Sequence, residues 1–211
     1  DLIRCNSVTP AEGGALVRLE SLLSEAGFAC TRVDRGGICN LYARWGARGA
    51  NKSFGFNGHT DVVPVGDVAA WTQDPFGAAI VDGWMYGRGA TDMKGFVACA
   101  IAALLRAADQ PLQVPLHLAL SYDEEIGCTG APPMIATMQQ ILPQASVAVI
   151  GEPSSMGLIN GHKGGTGFHV HVKGFEVHSS LLPYGVSAIM EGARLISWVN
   201  DRNAEIQAQA P

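Results

Sequence analysis

No run of basic residues occurs in this chain of 211 residues, and its formal net charge is −5. A surface of that sign offers little to neutralise phosphates, which excludes nucleic acid as the main partner. Long hydrophobic runs are also missing. The longest, Phe96 to Leu105, is ten residues, well short of the roughly 20 that a helix needs to span a bilayer, so no membrane partner is expected. No basic-then-apolar stretch opens the sequence, and no secretory leader is expected from it. Cysteine is sparse and dispersed: Cys5, Cys30, Cys39, Cys99 and Cys128 form no C-x-x-C pair. An odd, scattered set suggests reduced thiols and a cytoplasmic location. Internal repeats and low-complexity segments are absent. What remains is a hydrophobic fraction of 47% against 16% charged, the balance of a globular chain with a well-buried core.

Within that composition the elements are legible. Thr9, Pro10 and Glu12 read as a helix start, in which Thr9 caps, Pro10 suits the first position and Glu12 completes a T-x-x-E box. Leu16, Leu19, Leu22, Leu23 and Ala26 follow at helical spacing, and Gly27 ends the helix. Strands are expected over Ile38 to Trp45 and Lys52 to Asn57, the second running into Gly58-His59. Phe96, Val97, Ala100, Ile101, Leu104 and Leu105 mark the apolar face of a helix starting just after Asp92. Leu116, Leu118, Leu120 and Tyr122 alternate along a strand leading to Asp123-Glu124-Glu125, and Ser146 to Ile150 is a short apolar strand leading to Gly151-Glu152-Pro153. Strands alternating with helices predict an α/β fold with a mixed, largely parallel central sheet flanked by helices. After residue 166 the texture changes. Phe168, Val170 and Val172 alternate with His169, His171 and Lys173, as in a strand with one solvated face. Gly174 closes that strand, and an amphipathic helix over Val186 to Val199 follows. The expected division is one domain over residues 1–166 and the beginning of a second, α+β domain over 167–211, because a single strand and helix cannot bury enough surface alone.

Gly58-His59-Thr60-Asp61, Asp92, Glu124-Glu125 and Glu152 all fall where an apolar run ends or a helix begins. Those are the places where α/β sheets bind ligands. One imidazole among several carboxylates, gathered from separate strands, is the composition of a two-metal hydrolytic site, with a spare carboxylate to move the proton. Each residue also has an ordinary reading. His59 alone would be a capping or packing residue, Asp92 a helix N-cap, and Glu124-Glu125 a solvated loop pair; occurring together, in this order, they point to ligation. His117 reads as a hydrogen-bonded core residue on the minority face of its strand, and His169 and His171 as surface residues. His162-Lys163 reads equally as a substrate contact or a polar turn. Gly87-x-Gly89-x-x-Asp92 has the outline of a dinucleotide fingerprint, but its acidic sixth position would repel a pyrophosphate, and that reading fails.

Four blocks carry a resemblance. Gly58-His59-Thr60-Asp61-Val62-Val63-Pro64, Tyr86-Gly87-Arg88-Gly89-Ala90-Thr91-Asp92-Met93-Lys94-Gly95, Asp123-Glu124-Glu125-Ile126-Gly127 and Gly151-Glu152-Pro153 resemble the signature blocks of the M20 metallopeptidase family, in order and spacing, along nearly the whole chain. The resemblance implies a zinc-peptidase-like catalytic domain followed by the start of a lid and dimerisation domain, in a homodimer when full length. It implies two zinc ions, with cobalt able to substitute. His59 and Glu152 would hold one ion, Asp92 would bridge to the second, and Glu125 would bind that second ion. A carboxylate suits the bridge because its two oxygens can each face one ion while its charge relieves their repulsion. Asp61 would orient the His59 imidazole. Glu124 would be the general base and then the acid, taking a proton from the attacking water and passing it to the departing amine. His178, in Val177-His178-Ser179-Ser180, matches the lid histidine that reaches a neighbouring subunit's site and stabilises the oxyanion.

The implied reaction removes an acyl group from a small N-acyl amino acid. Gly127-Cys128-Thr129-Gly130 and Gly161-His162-Lys163-Gly164 resemble members that deacetylate N-acetylornithine in arginine biosynthesis, the substrate expected first. Val65-Gly66-Asp67 before Trp71 resembles members that desuccinylate N-succinyl-diaminopimelate, the alternative, with M20 peptidases and aminoacylases beyond it. Family members are nearly twice this long and take their last zinc ligand from a histidine close to the C terminus. The expectation is therefore a fragment or incomplete polypeptide with one whole metal site and one deficient site. A non-catalytic metal-binding fragment is the rival function. Glu124 favours an enzymatic parent, since a structural metal site has no use for an unliganded base.

Overall fold

The computed structural model describes residues 1–46, 52–141, 145–161 and 164–209; His162 and Lys163, whose role the sequence leaves open, lie outside them. The chain divides into two compact units, Asp1–Ile159 and Asn160–Pro211. The first contains strands β1 (Ala29–Arg35), β2 (Ile38–Trp45), β3 (Phe54–His59), β4 (Ala79–Val81), β5 (Trp84–Tyr86), β6 (Leu116–Ser121) and β7 (Val147–Ile150), with helices α1 (Ala15–Glu25), α2 (Lys94–Ala108) and α3 (Ala131–Ile141). Five strands form one mixed sheet in the order β1-β2-β6-β3-β7. The β1–β2 and β2–β6 pairs are antiparallel, whereas β6–β3 and β3–β7 are parallel. The parallel half is what positions the site, because β3, β6 and β7 all end at one edge.

Side-chain period decides the layers. Leu118 and Leu120 of β6 join Leu41 of β2 in the main core with Leu16, Leu19 and Leu23 of α1 and Val97, Ile101 and Leu104 of α2. Tyr42 and Ala119 point the other way, and Met134 of α3 packs on them. Covered on both sides, β6 is almost wholly buried. His117 is buried at 4% exposure on the α3 side, edge-on to Tyr42 with ring centroids 5.9 Å apart. Its Nε2 has no hydrogen-bond partner among the described residues, so the expected hydrogen-bonded role gives way to aromatic packing.

The start of α1 differs from expectation. The helix begins at Ala15, with Gly14 at its N-cap in the left-handed region at φ 81°. Glu12 does the capping: its carboxylate accepts from the amides of Gly14, at 2.8 Å, and Leu16. Thr9, the expected cap, bonds elsewhere. Two glycines, Gly13 and Gly14, separate the T-x-x-E box from the apolar repeat, and Gly13 packs where a Cβ would lie 2.4 Å from the Asn6 carbonyl oxygen. The end of α1 follows the sequence, with Gly27 at φ 85° and the Phe28 amide closing on Leu23.

In the second unit α4 (Ala188–Gln209) begins after Ser187, whose hydroxyl accepts from the Met190 amide at 3.3 Å. The strand expected over Phe168 to Lys173 does not form: no strand pairs with it among the described residues, and Phe168 and Val170 are 84% and 63% exposed. Alternation needs a partner to bury one face, and none covers this segment. His169 and His171 are exposed, as expected. No helix among the described residues is long and apolar enough to cross a membrane.

Candidate metal centre

The register of the parallel strands brings the acidic residues to one histidine. In the β3–β6 pair His59 stands opposite Ser121, so the segment after β6 starts beside the imidazole. That segment is a 3-10 turn over Glu124–Ile126. β7 ends at Ile150, two residues before Glu152. Asp92 arrives from the loop ahead of α2. It is not the helix cap, a place taken by Met93, and its carboxylate turns to His59 instead. Gly89 in that loop adopts φ 81°, and a Cβ there would lie 2.7 Å from Val62 Cγ1, so the loop folds closely over the residues after His59 only with glycine.

His59 is 1% exposed. Its Nε2 lies 3.1 Å from Asp92 Oδ1, 3.6 Å from Glu152 Oε1 and 3.9 Å from Glu124 Oε2. One ligand atom each from His59, Asp92 and Glu125 fall within 4.8 Å of one another. Two ligands held by one zinc at about 2.1 Å and a tetrahedral angle stand roughly 3.4 Å apart, and the His59–Asp92 and His59–Glu152 separations of 3.1 and 3.6 Å lie either side of that value. The electrostatics make the same demand. Burial pushes the Glu125 and Glu152 carboxyls up, and repulsion from Asp92 and from each other's neighbours adds to it, with His59 offsetting part. Four carboxylates around one imidazole are a setting that favours a cation, and nitrogen-plus-oxygen donors match zinc. The residues fit the ion.

Asp61, fully buried, organises this set. The His59 Nδ1 is 3.0 Å from the Asp61 carbonyl oxygen and 3.4 Å from its carboxylate; the nearer carbonyl is the hydrogen-bond acceptor, and the carboxylate acts by charge. Both leave Nε2 to face the cluster. Burial alone would push the imidazole down, but the Asp61 contacts, with Glu152 behind them, push it up to about 9. Burial would likewise raise the Asp61 carboxyl, yet His59, the Thr9 hydroxyl and the Glu125 amide hold it below its ordinary value. Its oxygens accept from the Glu124 amide at 3.3 Å and the Glu125 amide at 3.2 Å, tying the histidine loop to the acidic turn.

Two contributors receive no role from the sequence. Asp123 is buried, at φ 150°, a conformation that costs an L-residue of the order of 1–3 kcal/mol. Its carboxylate accepts from Thr129 Oγ1 at 2.6 Å and the Gly130 amide at 2.8 Å, and this bracing holds the turn that aims Glu124 and Glu125. Asn40 accepts from the Tyr122 amide at 3.2 Å and donates to the Gly130 carbonyl at 3.1 Å. Asp123 stands beside the glutamates in its motif and braces the turn through Thr129 and Gly130, six and seven residues on; Asn40 shows no signal in the sequence, because these partners lie 82 and 90 residues away. Beside Asp92 and Glu125 a cavity of about 320 Å³ opens, lined also by Val63, Arg88 and Thr91. Arg88 stacks 5.2 Å over the Trp71 ring. In the second unit, His178 caps a 3-10 turn: its Nδ1 accepts from the Ser180 amide at 3.2 Å, which leaves Nε2 as the N–H of the neutral ring.

Residues 55–201 match Peptidase family M20/M25/M40, and the chain belongs to that family. It is 47% identical over 206 residues to a succinyl-diaminopimelate desuccinylase of Cereibacter sphaeroides, covering 93% of this chain and 53% of that protein. A succinyl-diaminopimelate desuccinylase of Ruegeria pomeroyi is 55% identical over 156 residues, 73% of this chain and 41% of its own. The chain thus spans about half the length of the curated relatives it matches. Among solved structures it is similar to the M20 family metallo-carboxypeptidase Sso-CP2 from Sulfolobus solfataricus, with a TM-score of 0.64 and 25% identity over 71% of this chain and 35% of that one. Human carnosine dipeptidase 1 gives a TM-score of 0.59 at 26% identity, over 71% and 36% of the two chains.

Proposed function

We propose that this chain carries the metal centre of a zinc-dependent amidohydrolase that removes the succinyl group from N-succinyl-diaminopimelate. The observation that carries the chemistry is the convergence of Asp92, Glu125, Glu152 and Glu124 on one buried imidazole nitrogen. The substrate rests on the relatives that cover most of this chain, which are named for that reaction. N-acetylornithine and arginine biosynthesis, expected first from the sequence, find no support among those relatives, and the alternative takes their place.

His59, Asp92, Glu125 and Glu152 would hold zinc, with Asp92 shared between two ions, cobalt an acceptable substitute, and the second ion served here by Asp92 and Glu125. When bound, zinc supplies Lewis-acid polarisation of the amide carbonyl and lowers the pKa of a nearby water. The rest belongs to side chains. Glu124, outside the three-residue group yet 3.9 Å from the His59 nitrogen, takes the proton of the attacking water and returns it to the departing amine. Asp61 keeps the imidazole in the tautomer that ligates. His178, with Nε2–H free to donate, stabilises the oxyanion of a neighbouring subunit's substrate, so a homodimer is part of the proposal. A lid over residues 167–211 and a cytoplasmic setting, inferred from thiols that are all unpaired, belong to it as well. Side-by-side hydrolysis of N-succinyl-diaminopimelate and N-acetylornithine by the zinc-loaded full-length protein is the test. The succinyl substrate should be preferred by roughly tenfold or more; preference for the acetyl substrate would overturn the assignment.

A further inference from the structure

We propose that Thr9 is a positioning residue of the metal centre, its hydroxyl clamping the Asp61 carboxylate and thereby setting both the His59 imidazole and the acidic turn. The inference rests on the reading of His59 as a zinc ligand. Thr9 Oγ1 lies 2.9 Å from Asp61 Oδ2, the shortest of the bonds this carboxylate accepts; the Glu125 and Glu124 amides stand at 3.2 and 3.3 Å. An ionised carboxylate only accepts, so the Thr9 hydroxyl is the donor, and a bond to a charged acceptor is the stronger kind. Asp61 is fully buried, so no solvent stands ready to replace a lost donor. Oδ2 is shared by Thr9 and Glu125, while Oδ1 takes the Glu124 amide and faces His59 Nδ1. Rotation of the carboxyl group after loss of Thr9 disturbs every one of these contacts together.

Thr9 is held in place without using its own side chain. Its amide donates to the Val62 carbonyl at 3.2 Å, and the Val62 amide donates to Ser7 at 3.0 Å, a parallel bridge between the N-terminal segment and the loop after His59. Ser7 Oγ donates to the Thr60 carbonyl at 2.6 Å. Below them the buried Lys94 Nζ donates to the Cys5 carbonyl at 2.8 Å. With the backbone docked by these bonds, the hydroxyl is presented to Asp61 in advance, and Thr9→Val, similar in shape, leaves the segment where it is. The rival reading is that Thr9 merely fastens the N terminus. Ser7 separates the two, since it fastens the same segment through Thr60 and Val62 and, among the described residues, makes no hydrogen bond to the Asp61 carboxylate.

The experiment compares wild type, Thr9→Val, Thr9→Ser and Ser7→Ala in the full-length protein. Zinc affinity is measured by competition with a chromophoric chelator, hydrogen exchange of the Glu124 and Glu125 amides in the zinc-loaded state, and kcat and KM on N-succinyl-diaminopimelate. Thr9→Val should weaken zinc about tenfold or more, in the range of lost outer partners of a ligand. It should speed exchange at both amides and lower kcat with little change in KM. Thr9→Ser, which keeps the hydroxyl, should restore all three, and Ser7→Ala should lower thermal stability while leaving zinc affinity alone. Wild-type zinc affinity and amide exchange in Thr9→Val would overturn the proposal, as would an equal loss in Ser7→Ala. If Thr9→Val does not fold, Thr9→Ala takes its place with the same expectations. A wild type that fails to hydrolyse the substrate sinks the proposed function instead, while zinc affinity and exchange still decide the role of Thr9.

Discussion

Glu124 and Glu125 are chain neighbours with the same carboxyl group, and the work proposed for them differs. Glu125 shares the three-residue group with His59 and Asp92 and is proposed as a ligand, while Glu124, 3.9 Å from the same imidazole, is proposed as the base. If Glu124 moves the proton, Glu124→Gln keeps its shape and bound zinc but lowers turnover by roughly two decades or more. Near-normal turnover in a zinc-loaded variant would remove Glu124 from that role. Asp92 and Glu152 differ in the same way. Asp92 is proposed to touch both ions, so Asp92→Ala should empty both sites, while Glu152→Ala weakens mainly one. Metal content of the two full-length variants, measured after dialysis, checks this, and full occupancy in Asp92→Ala contradicts a bridge.

At the scale of elements, α2 shows how the core supports the site from behind. Leu104 is 1% exposed within the main cluster, on the same face as Val97, which a Cβ at Gly58 would approach to 3.2 Å. Leu104→Ala should cost about 2–5 kcal/mol by leaving a cavity and, lying three turns from Asp92, should leave zinc content unchanged; chemical denaturation and metal analysis together test it. Elements with strong period were legible in the sequence: β2, β3, β6, β7, α2 and the body of α1 lie where the apolar residues place them. Others were hidden for physical reasons. β1 carries Thr31, Arg32 and Asp34 among its apolar residues, as a sheet edge allows. The β4–β5 hairpin turns on Asp82-Gly83 at φ 50° and 81°, a dipeptide suited to tight hairpins between strands too short to show alternation. α3 begins Ala131-Pro132-Pro133, and prolines that signal a break are tolerated in a first turn. The candidate ligands were legible because His59, Asp92, Glu125 and Glu152 sit in contiguous motifs, and the structure brings them near one another. Thr9 and Asn40 act through bonds to residues at least 52 positions away, which no local pattern records.

Across the whole molecule, the parallel half of the sheet gathers groups of one charge sign, and proton linkage is the expected signature. With Asp61 pushing the His59 imidazole up to about 9, the metal-free ring carries a proton at pH 7 that it must release to ligate. Its raised value favours the charged ring below 9, which means zinc affinity climbs as pH rises towards 9 and levels off above it. Calorimetry in two buffers of different ionisation heat should find about one proton released per zinc at pH 7 from this group, and fewer above 9. The proposed assignment gives three ligands to the first ion (His59, Glu152 and Asp92) and two to the second (Asp92 and Glu125). The 211-residue polypeptide should therefore hold about one zinc tightly and a second weakly; two equally tight sites by titration would mean that another ligand is recruited.

The central claim is that the carboxylates converging on His59 form a zinc site. Anomalous diffraction collected at the zinc absorption edge, from crystals of zinc-loaded protein, tests it most directly. The expected result is a peak at about 2.0–2.2 Å from His59 Nε2 and from an Asp92 oxygen, with a Glu152 oxygen completing the shell. It is contradicted by an empty cluster in crystals whose solution contains excess zinc, or by zinc bound elsewhere while His59 keeps its hydrogen bond to Asp92.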